Sequence, residues 1–169
     1  MKFTAKIALF VIMLASSLTN AQDKKPASPA STATGKINGA NITISYSSPA
    51  VKGRTIWGEL VPYGKVWRAG ANDATTFETD KAITIEGKEL PAGKYSFFVI
   101  PEKDNKATII FNTEAKQWGA YKYDESKDKL RLTVPITKSK TITENLTYKV
   151  ASNNVSLNWE YAVFSFGVK

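Results

Sequence analysis

Trp57, Tyr63 and Trp67 stand among Lys52, Arg54, Lys65 and Arg68 within residues 47–76, and two of the chain's three arginines (Arg54, Arg68, Arg131) fall in that stretch. Aromatic faces stack on sugar rings or bases, while an arginine fork grips a carboxylate, phosphate or sulfate through two parallel hydrogen bonds. Arg54, Trp57, Tyr63, Trp67, Arg68 and Asn72 are therefore candidate ligand contacts. Trp118 and Tyr121, in a second irregular stretch over residues 113–129, offer a candidate opposite wall. The competing reading is structural: loop aromatics plug the open end of a β-domain, and the neighbouring arginine stacks on them or caps backbone carbonyls. That reading is preferred for Trp67 and Arg68 taken singly, and core packing is preferred for Trp159.

Absences narrow the chemistry further. The chain has neither histidine nor cysteine, which removes Ser-His-Asp triads, cysteine nucleophiles, and thiolate or imidazole zinc sites. Carboxylate, lysine, tyrosine and hydroxyl chemistry remain. Glycoside hydrolysis needs two acids roughly 5–10 Å apart across a cleft. Glu59, Asp73, Glu78, Asp124 and Glu160 are available for it, but no two share a local motif. Asp124, Glu125 and Asp128 form the one acidic cluster and lack the glycine-spaced alternation of a calcium loop, so a solvated turn is expected, with no metal. Gly58 to Lys65 imitates a phosphate loop, yet one residue too many separates its glycines and Val66 stands where Ser or Thr is required. No cofactor is expected.

These side chains need a scaffold, and period-two alternation supplies one. Asn38-Gly39 separates two alternating runs and is a strong hairpin signal. Further alternating runs cover residues 74–79, 82–86, 94–100, 107–112, 130–136, 146–150, 155–159 and 162–168. Glu86-Gly87-Lys88, Pro91-Ala92-Gly93, Lys103-Asp104-Asn105 and Ser152-Asn153-Asn154 supply turns. No apolar stripe of helical period lasts three turns outside the first residues, and residues 55–60 could form one short turn at most. The expected fold is all-β, a two-sheet β-sandwich or alternatively a partly closed barrel, with two long loops and little helix.

The long loops also carry a resemblance. Pro49-Ala50-Val51-Lys52-Gly53-Arg54-Thr55-Ile56-Trp57-Gly58 continues after Glu59 into Leu60-Val61-Pro62-Tyr63-Gly64-Lys65-Val66-Trp67-Arg68-Ala69-Gly70-Ala71-Asn72. Leu90-Pro91-Ala92-Gly93-Lys94-Tyr95 and Gln117-Trp118-Gly119-Ala120-Tyr121 with Tyr123-Asp124 follow. In these strings the chain resembles the exported bacterial proteins grouped as domain of unknown function 2911, over nearly its whole length after the N-terminus. The resemblance implies a secreted β-rich domain of periplasmic residence and implies no activity.

At the N-terminus, Lys2 and Lys6 precede an apolar stretch over residues 7–15 and a small, polar segment ending at Ala21. That layout is a signal peptide, and its apolar part falls short of the ~20 residues that span a bilayer. Residues 1–21 are expected to be cleaved, residues 22–30 to form a flexible leader, and residues 31–169 to form a single domain. Localisation is expected to be periplasmic or extracellular, with no membrane anchor. The formal charge of +8 rests on lysine scattered over strands and turns, which suits solubility and protected sheet edges and gives no nucleic-acid signature. The functional expectation is a non-catalytic binding or accessory module for a small polar or anionic ligand, a glycan or a protein partner. A carboxylate glycan hydrolase and a purely structural protein are the alternatives. If Trp67 and Arg68 serve a ligand, replacing either should leave the fold intact.

Overall fold

The computed structural model describes residues 27–169; the expected signal peptide and most of the leader lie outside the described residues. In chain order the strands are β1 (Ala30–Ile37), β2 (Ala40–Ser47), β3 (Thr76–Thr79), β4 (Ile83–Ile85), β5 (Lys88–Leu90), β6 (Gly93–Pro101), β7 (Lys106–Asn112), β8 (Asp128–Val150) and β9 (Asn154–Gly167). A single 3-10 turn over Glu125–Lys127 is the one helical element among the described residues. The first hairpin forms where the sequence predicts it. Asn38 and Gly39 both hold positive φ, 47° and 83°, the geometry whose twist matches the flanking strands. Ile37 then pairs with Ala40, and the fixed register turns Ile42 and Ile44 inward and Asn41 outward.

The all-β expectation holds. Seven strands form one sheet in the order β1-β2-β3-β6-β7-β8-β9, and β4 and β5 form a second, two-stranded sheet. Of the two arrangements the turn spacing allows, the partly closed barrel describes the large sheet, which curls until β1 approaches the far half of β8. Gly35 makes that approach feasible: a Cβ there would lie 2.5 Å from Val150 Cγ1. The β4–β5 hairpin docks on the end of β9, where Ile85 pairs with Val168 and Thr84 and Lys169 exchange main-chain hydrogen bonds of 2.7 and 2.9 Å.

Two elements are longer than their alternation suggests. β8 runs without interruption for 23 residues, pairing with β7 through its first part and with β9 through the rest. The polar segment 137–145 breaks the apolar pattern but not the strand, since register shifts on either side of Thr143 carry it round the corner. Across from it, β9 bends at Glu160, which takes φ 55° and pairs with Thr143.

The interior holds an aromatic cluster in which Phe111 meets Phe77 at 5.1 Å and Phe97 at 5.2 Å, with Phe166 alongside. β6 is buried on both faces from Tyr95 to Val99. Phe97 and Val99 face the barrel, whereas Phe98 packs with Ile110 and Ala74 under Tyr123, Val66 and Ala120 of the long loops. Burial on both faces explains why loops of this length stay ordered: each covers apolar surface that the outer face of β6 and β7 would otherwise expose.

Asp128 ties down the second loop. Its side chain is only 6% exposed, and it accepts from Tyr123 Oη at 2.5 Å, Asn112 Nδ2 at 2.9 Å and Arg131 Nη1 at 3.3 Å. Burial, together with the carboxylate it donates to, raises the Tyr123 phenol above its ordinary range. The neighbouring acids are also engaged: Asp124 caps the 3-10 turn through Ser126, and Glu125 pairs with Arg131 at 2.8 Å. The acidic cluster is thus a structural knot. Asp128→Ala, which strips Tyr123 Oη of its acceptor and leaves Asn112 and Arg131 with their other partners, Asp124 O and Glu125, should lower unfolding free energy by about 1–3 kcal/mol. Urea unfolding at neutral pH checks this, and a change below the fitting error would dissolve the knot.

Candidate functional site

Residues 48–75 leave β2, run along the barrel and return to begin β3. Their first anchor is on β8, where Val51 N donates to Glu144 O at 2.8 Å and Lys52 N to Glu144 Oε1 at 2.8 Å. A turn with Lys52 and Gly53 at positive φ follows. Arg54 folds back over this turn, donating from Nη2 to Ala50 O at 2.5 Å and from Nε to Val51 O at 3.1 Å. Part of its donor set is therefore engaged by main-chain oxygens, leaving a fixed cation at the loop surface.

Trp67 occupies a place in the sheet. It exchanges main-chain bonds of 2.8 and 2.9 Å with Val99, which turns its indole into the barrel with 9% exposure, and its Nε1 donates to Gly70 O at 3.2 Å. There it stacks on Trp159, with centroids 5.8 Å apart and planes at 16°, and meets the edge of Trp57 at 5.7 Å. Phe164 completes the cluster, 5.1 Å from Trp57. Trp67 is thus packed into the core, and it also lines the arginine recess described below.

The following residue has a different role. Ala69 holds a left-handed φ of 53°, a conformation unfavourable for alanine. Its carbonyl is pinned from two sides, by Tyr148 Oη at 2.8 Å and Thr75 Oγ1 at 3.0 Å. Full burial raises the Tyr148 phenol well above its ordinary pKa, so this donor keeps its proton. Arg68 immediately precedes this pinned turn. Arg68 lines a recess of about 270 Å³ with Arg54, Trp67, Trp159, Asn72 and Leu60, and its buried Nε has no acceptor among the described residues. Trp159 Nε1 is in the same condition. Asn72, at φ 58°, donates from Nδ2 to Ser47 Oγ at 3.2 Å and Ser28 O at 3.4 Å, drawing the segment just before β1 to the recess. Among the described residues, two guanidinium groups and no carboxylate line it.

The eight sequence-predicted residues do not share one recess. Arg54, Trp67, Arg68 and Asn72 come together as described. Trp57 and Tyr63 line a separate recess of about 210 Å³, with Glu102, Glu160 and Tyr161. Trp118 and Tyr121, 63% and 83% exposed, line a third hollow beside Lys116 and Lys122. The second loop adjoins the first, since Asp73 pairs with Trp118 and Gly119 N donates to Asn72 O at 3.2 Å, but it stands beside the arginine recess. Sequence reasoning passed over Ser28, Glu102, Lys103 and Tyr161 as site residues. They carry no local motif, and only the curl of the sheet brings them in.

The geometry defines a nearly closed β-barrel with an arginine-lined, tryptophan-floored recess in the loop that leads from β2 to β3. Residues 28–168 match the family described as "Protein of unknown function (DUF2911)", and the chain belongs to that family. No curated protein and no solved structure matches it.

Proposed function

We propose that the protein is an exported, non-catalytic binding module whose recess at Arg54, Arg68 and Trp67 takes the anionic end of a small polar ligand. The observation that carries this reading is the charge and donor balance of the recess. Among the described residues its lining has two guanidinium groups and no carboxylate, and it includes Arg68 and Trp159, whose buried Nε and Nε1 meet no acceptor among those residues. A buried donor without a partner costs about 1–3 kcal/mol, and an anion brings the acceptors that satisfy such donors through charge-assisted bonds. The indole floor favours a ligand with an apolar face next to its charge. No acid among the described residues lines this recess to serve in general acid or base catalysis, so binding is favoured over turnover there. Export follows from the charged, apolar, small-residue order of the first twenty-one residues.

The test is a calorimetric and tryptophan-fluorescence titration with inorganic phosphate, acetate and glucuronate, using methyl glucoside as the uncharged control. Indole emission should respond to at least one anion, because two of the four tryptophans border the recess, and the response should weaken as salt rises. A flat response to all three anions would overturn the proposal.

A further inference from the structure

The 210 Å³ recess on the other side of Trp57 differs from the arginine site in both charge and construction. Three aromatic rings border it: Trp57, Tyr63 and Tyr161. Its charged groups are the carboxylates of Glu102 and Glu160 and the ammonium groups of Lys103 and Lys138, two of each sign. Balanced charge gives no preference for an anion. Aromatic faces with mixed donors and acceptors around them instead suit a neutral ring that has apolar C–H faces and a hydroxylated edge. The volume lies below the ~300–1,000 Å³ of sites for drug-sized molecules, which limits the occupant to a single ring unit.

The backbone is arranged for this recess. In a regular strand successive side chains point to opposite faces, yet Glu160, Tyr161 and Ala162 all line it. Glu160 makes that geometry by taking φ 55°, a left-handed conformation that costs a non-glycine residue on the order of 1–3 kcal/mol. The opposite side shows a second close fit. Gly58, at φ 91°, lies under the Tyr63 ring so tightly that a Cβ would come 2.8 Å from its Cε2. Trp57 Nε1 is buried and meets no acceptor among the described residues. Tyr161 is 45% exposed and Tyr63 36%, so both rings are open to a ligand.

We infer that this second recess binds one pyranose unit of a neutral saccharide, stacked against Tyr63 and Tyr161 and hydrogen-bonded by Glu160 and Glu102. The site stands apart from the arginine recess, from which the indoles of Trp57, Trp67 and Trp159 separate it.

Saturation-transfer NMR on the full chain tests the inference, with the methyl glycosides of glucose, galactose, mannose and N-acetylglucosamine as probes. At least one should give transfer. Tyr161→Ala should weaken that probe about tenfold, as expected for a lost stacking face, and Glu160→Gln should weaken it by a similar factor. Both positions border solvent, and an unchanged circular dichroism melt confirms that the variants fold. Arg68→Ala should leave the saccharide signal intact, so loss of anion binding and loss of saccharide binding are read separately. Absence of transfer from all four glycosides overturns the inference, as does transfer that survives in Tyr161→Ala and Glu160→Gln.

Discussion

Trp67→Ala should lower the midpoint of thermal unfolding by about 10–20 °C, corresponding to the ~3–5 kcal/mol lost when a buried tryptophan is truncated in a domain of this size. The expectation rests on three contacts that disappear together. The stacked face toward Trp159 goes, the edge contact with Trp57 goes, and Gly70 O loses its donor. Trp159 and Trp57 would then face a cavity that the sheet cannot close, because Trp67 is bound to Val99 by two main-chain hydrogen bonds and cannot shift inward. Trp67→Phe keeps an aromatic ring in place and should recover more than half of the loss. Differential scanning calorimetry distinguishes the two variants. A Trp67→Ala melt within about 3 °C of the parent, less than the shift for a single kcal/mol, would mean that the indole does little for the core.

Arg68→Ala should do the opposite. Binding of the best anionic probe should fall about 10–100-fold, the value of a charge-assisted hydrogen bond of roughly 1.5–3 kcal/mol, while the melt stays within a few degrees. The reason lies in what Arg68 does not do: it joins no ion pair among the described residues, and its buried Nε meets no protein acceptor. Removing a group that satisfies nothing in the fold leaves no partner stranded. Arg68→Lys is the sharper variant, because it keeps the charge but loses the planar fork, and it should recover only part of the affinity. If Arg68→Ala unfolds the protein, the side chain is a structural plug and the anion site fails. If affinity is untouched in a folded variant, the ligand sits elsewhere.

These two neighbours show how far the sequence could be read. Trp67 and Arg68 are adjacent letters of one motif, and composition gives both the same plausibility as contacts or as plugs. What separates them is the register with Val99 and the left-handed turn at Ala69. Ala69 is not a residue type that announces such a turn, and Tyr148, which pins it, lies 79 positions along the chain. Alternation located most of the strands, because the core needs every second residue apolar, and Asn38-Gly39 set the first hairpin. It missed β5, whose three residues are too few to show a period, and it divided β8, whose polar middle turns a corner where no apolar face is required. The expectation that Trp118 and Tyr121 close the arginine recess does not match the geometry. Their loop is tethered at Asn72 and Asp73 and presents both rings to solvent beside the recess. The second recess escaped notice because its acids and rings come from three separate segments, the loop between β2 and β3, the β6–β7 turn and the bend of β9, which only the curl of the sheet brings together.

The close passage at Gly35 also bears on how the molecules behave in a crowd. A strand at the margin of a sheet offers unmet donors and acceptors to any passing chain, and growth of fibrils begins with such an offer. Because residue 35 has no side chain, β1 lies down on Val150 of its own molecule, and the margin is shielded without a ladder of bonds to close it. A single missing methyl group thereby helps keep a sheet of seven strands from recruiting neighbours, in a protein that has no disulfide to hold its ends in place.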